Sequence, residues 1–186
     1  MKQKKGNISG GILAGGKSSR MGTEKGLQTF KGKSLILYSV EALKPFCTEF
    51  LISSNNISYH QFKFPLVKDV VTDCGPLGGL LSLLKKTRKE YLFLLACDMP
   101  FVTSETIKSL FEGIGEAECI VPKIGNKMEP LCAIYSKSLI PEIEKQITTG
   151  DYSMHTLIMN SSRKFVHFAE ESSEFKSINV PEDLVE

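Results

Sequence analysis

The chain has 186 residues, 41% of them hydrophobic, which is enough apolar material to bury one well-packed core. No shift in composition marks a second domain, so we expect a single domain over residues 1–186, in which residues 1–7 form a flexible basic tail carrying Lys2, Lys4 and Lys5. The net charge of +2 is too small to predict a nucleic-acid or membrane partner.

The cysteines and the apolar runs restrict the class of protein further. The five cysteines form no C-x-x-C pair, and neither they nor the histidines have the spacing of a zinc site. No apolar run approaches the roughly 18 residues of a membrane-spanning helix, and the first residues lack the apolar centre of a signal peptide. We therefore expect reduced thiols and a cytoplasmic location.

The first informative segment, residues 10–26, joins a short apolar run to a glycine-rich loop. The loop carries Lys17, Arg20 and Lys25. Glycines let the backbone approach a ligand closely, so successive N–H groups, here those of residues 14–16, can face one anion. Three neighbouring cations repel one another unless an anion lies nearby. The segment therefore predicts a phosphate-binding loop.

Two other kinds of nucleotide loop fit this segment less well. GILAGGKS, at residues 11–18, matches the Walker A pattern, and residues 91–98 could serve as a Walker B strand. However, the residues before Gly11 are mostly polar, the buried-strand signal lies within residues 11–14, and later glycines disfavour a following helix. A Rossmann dinucleotide loop needs G-x-G-x-x-G, which this segment lacks. A glycine loop without any ligand is the remaining alternative.

Downstream, helical and extended patterns alternate along the chain. The predicted helices are residues 35–43, capped by Ser34 and ended by Pro45, a helix opened by residues 75–79, residues 103–111, residues 137–148 with an early interruption at Pro141, and residues 151–160. The predicted extended segments are 27–30, 49–53, 64–67, 91–97, 119–122, 131–135, 165–168 and 175–178. The run 91–97 is apolar throughout, as is typical of a strand in the centre of a parallel sheet. This order predicts a single-domain, doubly wound, mostly parallel α/β sheet of Rossmann-like type, with ligands at the carboxyl ends of its strands.

Asp98 follows the most apolar of these strands and precedes Met99 and Pro100. Its carboxylate therefore emerges at the sheet edge on a backbone that proline stiffens. A carboxylate in this position can hold Mg²⁺, with nucleotide phosphates and waters as the other ligands. The alternative is a helix N-cap, although Thr103 or Ser104 is better placed to cap the helix that follows.

Asp69 and Asp73 lie between a predicted strand and the glycine cluster GPLGG at residues 75–79. These glycines let a second stretch of backbone approach a flat or polar ligand. Asp69 can then accept hydrogen bonds from guanine N–H groups or from ribose hydroxyls. Either aspartate could instead solvate a turn, and this alternative stays open.

Several motifs together carry a resemblance to a known family. They are LAGGKSSRMGTEK at residues 13–25, DVVTDCGPLGG at 69–79, DMP at 98–100, PLCAIY at 130–135 and FKSINVPEDL at 175–184. The first resembles the signature loop of nucleotidyltransferases with a glycosyltransferase-A-like α/β fold, the fold of the nucleotide-diphospho-sugar transferases. With the other motifs, the chain most closely resembles the molybdenum cofactor guanylyltransferases, the MobA family, over nearly its whole length.

The resemblance implies a reaction, a metal and a set of site residues. Members of the family transfer GMP from GTP to the phosphate of the molybdenum–molybdopterin cofactor and release pyrophosphate, and Mg²⁺ is the implied metal. The implied catalytic residues are Arg20, Lys25 and Asp98, with Asp98 as the metal ligand. The implied GTP-binding residues are Leu13, Ala14, Gly15, Lys25, Asn55, Asp69 and Asp98. Asn179 is implied on the acceptor side, where Ser177 and Val180 replace the asparagine and threonine of the family pattern.

The implied partners are GTP and the molybdopterin cofactor, with molybdoenzyme apoproteins or their chaperones as recipients of the product. Two alternatives stay open. A cytidylyltransferase or uridylyltransferase acting on a sugar or polyol phosphate would share the loop and the aspartate, although such enzymes generally lack GPLGG and the PEDL ending. A non-catalytic protein that binds the nucleotide or cofactor as a chaperone would not need Arg20, Lys25 and Asp98 together.

Overall fold

A mixed β-sheet with helices on both faces forms the centre of the molecule. The computed structural model describes residues 7–15, 24–115, 117–180 and 183. The strands in these ranges are β1 Ile8–Leu13, β2 Thr29–Phe30, β3 Lys33–Ser34, β4 Glu49–Ser53, β5 Leu66–Val67, β6 Tyr91–Ala96, β7 Cys119–Ile124, β8 Lys127–Met128, β9 Cys132–Ser136 and β10 Arg163–Phe168. The helices are α1 Leu35–Leu43, α2 Gly75–Lys86, α3 Ser104–Phe111, α4 Ile140–Thr148 and α5 Met154–Asn160. Short 3₁₀ turns lie at Lys25–Leu27, Ile57–Phe62, Lys137–Leu139 and Ser173–Phe175.

The order of strands across the sheet is β10-β7-β9-β6-β1-β4-β5, and β8 pairs with β7. Strand β1 runs parallel to both β4 and β6, and β4 runs parallel to β5. Only β9 runs against its neighbours along this path in the described residues, since it is antiparallel to β6 and to β7. The predicted doubly wound, mostly parallel α/β sheet is therefore confirmed.

Strand β6 supplies side chains to both faces of the sheet. Leu92 and Leu94 pack against α2, α4 and α5, whereas Phe93 and Leu95 pack on the other face with α1 and α3. All of these side chains are fully buried. Burial on both faces explains why the run is continuously apolar, because no position in it faces water.

The prediction that this strand lies in the centre of a parallel sheet is correct for its position but not for all of its surroundings. Its partner on one side is β1, which is parallel, but its partner on the other side is β9, which is antiparallel. A continuous apolar run reports burial of both faces and carries no information on the direction of the neighbouring strand. The strand is central, as predicted, within a mixed sheet.

Other differences from the predicted elements concern their ends. Pro141 does not interrupt a helix: it lies in the first turn of α4, where a missing N–H costs nothing. In the predicted extended segment 175–178, Phe175 instead ends a 3₁₀ turn, whereas Lys176 has extended backbone angles. Ser34 precedes α1 as predicted, but its side chain makes no capping bond, whereas Thr103 caps α3 by accepting from the Thr106 N–H.

The predicted basic tail, residues 1–7, lies mostly outside the described residues. Within the described part, Asn7 donates through its side chain to Glu90 and through its carbonyl accepts from the Tyr91 N–H at 3.2 Å. No helix in the described ranges combines the length and the apolar character needed to cross a membrane.

A partly buried polar cluster ties the starts of β1 and β4 together, at the end of the sheet away from their carboxyl termini. The Glu49 carboxylate accepts from the Ser9 hydroxyl, from the Thr87 hydroxyl at 2.8 Å and from the Arg88 N–H at 3.3 Å. Burial acts to raise the pKa of Glu49, but these hydrogen bonds outweigh it and leave the pKa below its ordinary value.

This cluster predicts a pH-dependent contribution to stability. A carboxylate whose pKa is lowered by folding stabilises the native state above its unfolded pKa, about 4.3 for glutamate, and loses that contribution as the pH falls through the folded pKa. Glu49→Gln should therefore be less stable than wild type at pH 7, and the difference in free energy of unfolding should shrink as the pH falls from about 5 to 3. Denaturant titrations at each pH measure this difference. Glu112→Gln, at an exposed site, is the control. If the difference in free energy of unfolding between wild type and Glu49→Gln stayed constant with pH, it would contradict the lowered pKa of Glu49.

Candidate functional site

A cleft of about 850 Å³ opens at the carboxyl ends of β1, β4, β5 and β6. Its lining residues come from the segments that follow these strands, from the turn around Glu24 and from the start of β9. They are Leu13, Ala14, Gly15, Glu24, Lys25, Ser53, Ser54, Asn55, Asn56, Asp69, Thr72, Asp73, Gly75, Pro76, Gly79, Ala96, Cys97, Asp98 and Leu131. The volume lies in the range of pockets that hold small organic ligands.

The parallel register of the strands brings their ends to one edge of the sheet. Leu13 pairs with Ser53 of β4 and with Ala96 of β6. The pairing continues beyond the strands, since the Cys97 N–H donates to the Leu13 carbonyl and the Ala14 N–H donates to the Ser53 carbonyl, both at 3.0 Å. Residues that follow these positions in sequence therefore lie side by side along the cleft.

The described residues that we predicted for GTP binding all line this cleft. They are Leu13, Ala14, Gly15, Lys25, Asn55, Asp69 and Asp98. One part of the prediction is wrong, because the Ala14 N–H is used in the sheet and does not face an anion. Of the amides predicted over residues 14–16, that of Gly15 remains within the described ranges. Arg20, the third predicted catalytic residue, lies outside the described residues.

Lys25 and Asp98 form an ion pair at the edge of the cleft. The Lys25 Nζ lies 2.8 Å from the Asp98 Oδ2 and 2.9 Å from the Asn179 Oδ1. The Lys25 and Asp98 side chains are only 20% and 18% exposed, so each charge is partly withdrawn from water. The structure thus brings together three residues that are far apart in sequence and that we predicted for the site.

The segment that carries Asn179 is fixed against the end of β6. The Ile178 N–H donates to the Asp98 carbonyl at 2.8 Å, and the Ile178 side chain is buried against Phe30 and Leu35. The Asp183 carboxylate accepts from the Asn179 N–H at 2.8 Å and from the Val180 N–H at 3.1 Å. These two backbone hydrogen bonds lower the pKa of Asp183. Residues 178–180 therefore lie beside Asp98 and Lys25.

Asp69 lies on the other side of the cleft, after β5. Its Oδ1 accepts from the Ser53 hydroxyl at 3.3 Å, and burial raises its pKa above the ordinary value. A carboxylate that is partly withdrawn from water and has few donors around it is well suited to accept N–H groups from a ligand. Asp73 also lines the cleft but is exposed.

The first turn of α2 closes the cleft between these aspartates and the sheet. Gly75 and Pro76 line the cleft, and Gly75 has a positive φ of 57°. At Gly79, a Cβ atom would lie 2.6 Å from a Leu13 methyl group and 3.0 Å from the Ser53 hydroxyl, so only glycine lets the helix approach the strand ends this closely. The positive end of the helix dipole therefore faces the cleft.

Two acidic residues near the cleft were missed by the sequence analysis. Glu24 accepts a hydrogen bond from Tyr59. Its position directly before Lys25 in the glycine-rich loop could have identified it from the sequence. Glu129 precedes β9, and its pKa is raised mainly by burial, with the negative charge of Asp98 adding to the rise. No pattern around Glu129 distinguishes it from a surface glutamate before the strand, because its burial depends on the fold.

The oxygen donors near Asp98 fit a cation that nucleotide phosphates help to hold. In the described ranges, no three or more His, Cys, Asp or Glu side chains come together as a complete metal site. Mg²⁺ is commonly bound through one or two carboxylates, with substrate phosphates and waters as the remaining ligands. A single carboxylate such as Asp98, at the edge of an open cleft, matches that donor set.

Comparison with known proteins places these features in a family context. Residues 10–165 match the family described as "MobA-like NTP transferase domain". A protein of Flavobacterium johnsoniae named "Probable molybdenum cofactor guanylyltransferase" is 32% identical over 170 residues, which cover 91% of this chain and 89% of the relative. A protein of Syntrophotalea carbinolica named "Molybdenum cofactor guanylyltransferase" is 31% identical over 182 residues, covering 93% and 87% of the two chains.

Solved structures show the same fold. The crystal structure of molybdopterin-guanine dinucleotide biosynthesis protein A from Archaeoglobus fulgidus is similar with a TM-score of 0.76 and 24% identity, covering 95% of this chain and 94% of the other.

The buried contact of Ile178 predicts that it anchors residues 178–180 beside Asp98. Ile178→Ala should lower the free energy of unfolding by about 2–4 kcal/mol, because it removes a side chain that is only 1% exposed. Ile57→Ala, at a site that is 71% exposed, is the matched control and should change stability by less than about 0.5 kcal/mol. Chemical denaturation measures both variants. Equal effects of the two substitutions would show that residues 178–180 are not anchored as described.

Proposed function

The chain belongs to the MobA-like NTP transferase family, and we propose that it transfers GMP from GTP to the phosphate of the molybdenum–molybdopterin cofactor. The products are the guanine dinucleotide form of the cofactor and pyrophosphate. The observation that carries the proposal is the contact of Lys25 with Asp98 and Asn179 at the edge of a cleft of about 850 Å³. This arrangement supplies a cation and a carboxylate at one point of a pocket large enough for a nucleotide.

The chemistry of the acceptor sets what the protein has to provide. A phosphate monoester has its second pKa near 6, so the attacking phosphate is already largely dianionic at neutral pH and needs no general base. The barrier lies in bringing two anions together in line and in neutralising charge on the β- and γ-phosphates as they leave. The site therefore needs cations and N–H donors more than it needs acid–base groups.

Lys25 is the described residue best suited to neutralise the phosphates. Its Nζ lies at the cleft edge and is held by two oxygen acceptors, Asp98 and Asn179, that can release it to a phosphate oxygen. The Gly15 N–H and the first turn of α2 add dipoles that favour an anion in the same cleft. Arg20, in the same loop, completes the proposed set of cations.

Asp98 is the proposed ligand of Mg²⁺. When bound, a divalent cation neutralises phosphate charge and favours departure of pyrophosphate. Asp98 is held for this role by its place at the end of β6 and by the Ile178 N–H on its carbonyl. Its present partner, Lys25, would then be released toward the nucleotide.

Recognition of guanine is assigned to the opposite wall. Asp69 can accept the two N–H groups that guanine presents on one edge, and Asn55 lies nearby on the exposed rim of the cleft. The pterin side lies toward Asn179. We place the reaction in the cytoplasm, which the buried free cysteines support, and molybdoenzyme apoproteins or their chaperones remain the proposed recipients of the product.

Two alternative functions explain fewer of the site residues than the proposed one does. A cytidylyltransferase or uridylyltransferase would use the same loop and aspartate with another base, but it would leave Asp69 and the GPLGG segment unexplained. A non-catalytic nucleotide-binding chaperone would leave the Lys25–Asp98 pair unexplained, since a pure binder needs no metal beside the phosphates.

Removal of the proposed metal ligand should lower the rate of turnover strongly. Asp98→Ala should lower kcat by about 10²–10³-fold, because the phosphates lose their divalent counter-ion. Pyrophosphate release from GTP in the presence of the molybdenum cofactor measures the rate. Asp151→Ala is the control and should keep the wild-type rate. The Asp151 carboxylate accepts a hydrogen bond from the Ser153 N–H just before α5. An unchanged rate in Asp98→Ala would remove this residue from the mechanism.

Base selectivity separates the proposed enzyme from its relatives. GTP with Mg²⁺ should protect the wild type from thermal unfolding, by about 2.7 kcal/mol at a hundred times the dissociation constant, whereas CTP and UTP should protect it weakly. Asp69→Asn should lose most of the protection by GTP, because the amide replaces one acceptor by a donor. Melting curves with each nucleotide test both statements. Stronger protection by CTP or UTP would favour the alternative transferases.

A further inference from the structure

Tyr59 is a fully buried tyrosine whose hydroxyl reaches the wall of the cleft. Its side chain is 0% exposed and packs among Ile12, Ile52 and other buried residues. At the far end of the ring, the hydroxyl donates to the Glu24 Oε2 at 3.3 Å. Phenylalanine would fill the same apolar space, so packing alone gives no reason for a hydroxyl in this position.

The residues before and after Lys25 both meet this hydroxyl. Glu24 accepts its hydrogen bond, and a Cβ atom on Gly26 would lie only 2.8 Å from the hydroxyl oxygen and 3.2 Å from the Cys97 Sγ. The backbone of the turn is therefore pressed against the phenol. Burial, together with neighbouring negative charge, raises the pKa of Tyr59, while the Gly26 N–H opposes the rise. The phenol is thus a neutral hydrogen-bond donor under the turn that carries Lys25.

Tyr59 also connects this turn to the opposite wall of the cleft. It lies in the 3₁₀ turn Ile57–Phe62, which begins at Asn56, and the Asn56 side chain accepts from the Ser58 N–H at 2.9 Å. Asn55 and Asn56 line the cleft just before this turn. The hydroxyl therefore joins the segment assigned to the nucleoside to the segment that carries the lysine.

We propose that Tyr59 is a positioning residue that fixes Lys25 over the phosphates of the bound nucleotide. This rests on the proposed function, in which Lys25 contacts those phosphates. Without the hydroxyl, residues 24–26 gain conformational freedom that must be lost again when the phosphates bind. Loss of the hydroxyl should therefore weaken nucleotide binding and raise the free energy of the transition state. Tyr59 itself touches no substrate and acts through the turn.

The substitution Tyr59→Phe isolates the hydroxyl, because it keeps the buried ring. It should lower kcat/KM for GTP about tenfold, as expected when one hydrogen bond that orders a catalytic group is lost. Tyr91→Phe is the matched control: Tyr91 is also buried, at 9% exposure, but lies at the start of β6, away from the cleft. It should keep the wild-type kcat/KM.

A double-mutant cycle with Lys25 separates positioning from a general structural effect. In a Lys25→Ala background, Tyr59→Phe should change kcat/KM by less than about twofold, because the group that it positions is absent. An equal loss in both backgrounds would show that the hydroxyl acts on the whole site and would overturn the proposal. A wild-type rate in Tyr59→Phe would overturn it as well.

Calorimetry of GTP binding distinguishes this proposal from the proposed function. The dissociation constant is measured for the wild type, for Tyr59→Phe, for Lys25→Ala and for the variant that carries both substitutions. If the wild type binds GTP but transfers no GMP, the proposed function fails. The positioning role would still be supported if Tyr59→Phe weakens GTP binding and this weakening disappears in the Lys25→Ala background. Weakening that is additive, or absent, would overturn that role. A wild type that binds no GTP would overturn both.

Discussion

The ion pair between Lys25 and Asp98 is the interaction on which the rest of the site depends. Both side chains are about one-fifth exposed, at 20% and 18%, so neither charge is solvated as it would be on the surface. Removing one partner would leave the other partly buried and uncompensated. In the proposed function, a nucleotide with its divalent cation would replace both partners at once: a phosphate would pair with Lys25, and the cation would pair with Asp98. Binding then exchanges charges without leaving one unpaired.

The sheet makes this exchange possible because it brings distant segments to one edge. The parallel register of β1 with β4 and β6 aligns Leu13, Ser53 and Ala96, and the loops that follow all face the same cleft. The close approach of α2 at Gly79 closes the cleft from one face. On the other side, the hydrogen bond from Ile178 to the Asp98 carbonyl brings Asn179 to Lys25. The cleft thus uses strand ends, a helix start and a late segment of the chain.

Much of this architecture could be predicted from the sequence, because long apolar runs and glycine clusters are local signals. The run at β6 and the aspartate that follows it predict a buried strand with a carboxylate at its end. The direction of β9 could not be predicted in the same way, since burial on both faces looks alike in parallel and antiparallel neighbours. The bonded state of the Ala14 N–H was also out of reach, because it depends on how far β1 pairs with β4.

Contacts between distant residues account for the rest of what the sequence did not predict. Lys25, Asp98 and Asn179 were each selected from their own motifs, but nothing local indicated that the lysine would lie between the two oxygen acceptors. In the sequence, Tyr59 looks like an ordinary core residue in a polar segment. The proposed positioning role follows only from the contacts of its hydroxyl with Glu24 and Gly26 in the folded protein. Residues of this kind carry no motif because they act through other residues and touch no substrate.

The exchange of partners at Lys25 and Asp98 is tested most directly by a crystal structure of the wild type with GTP and Mg²⁺ bound. We predict that the Lys25 Nζ leaves Asp98 for a phosphate oxygen, while the Asp98 carboxylate contacts the cation. A complex in which Lys25 stays on Asp98 and the triphosphate lies elsewhere would contradict it.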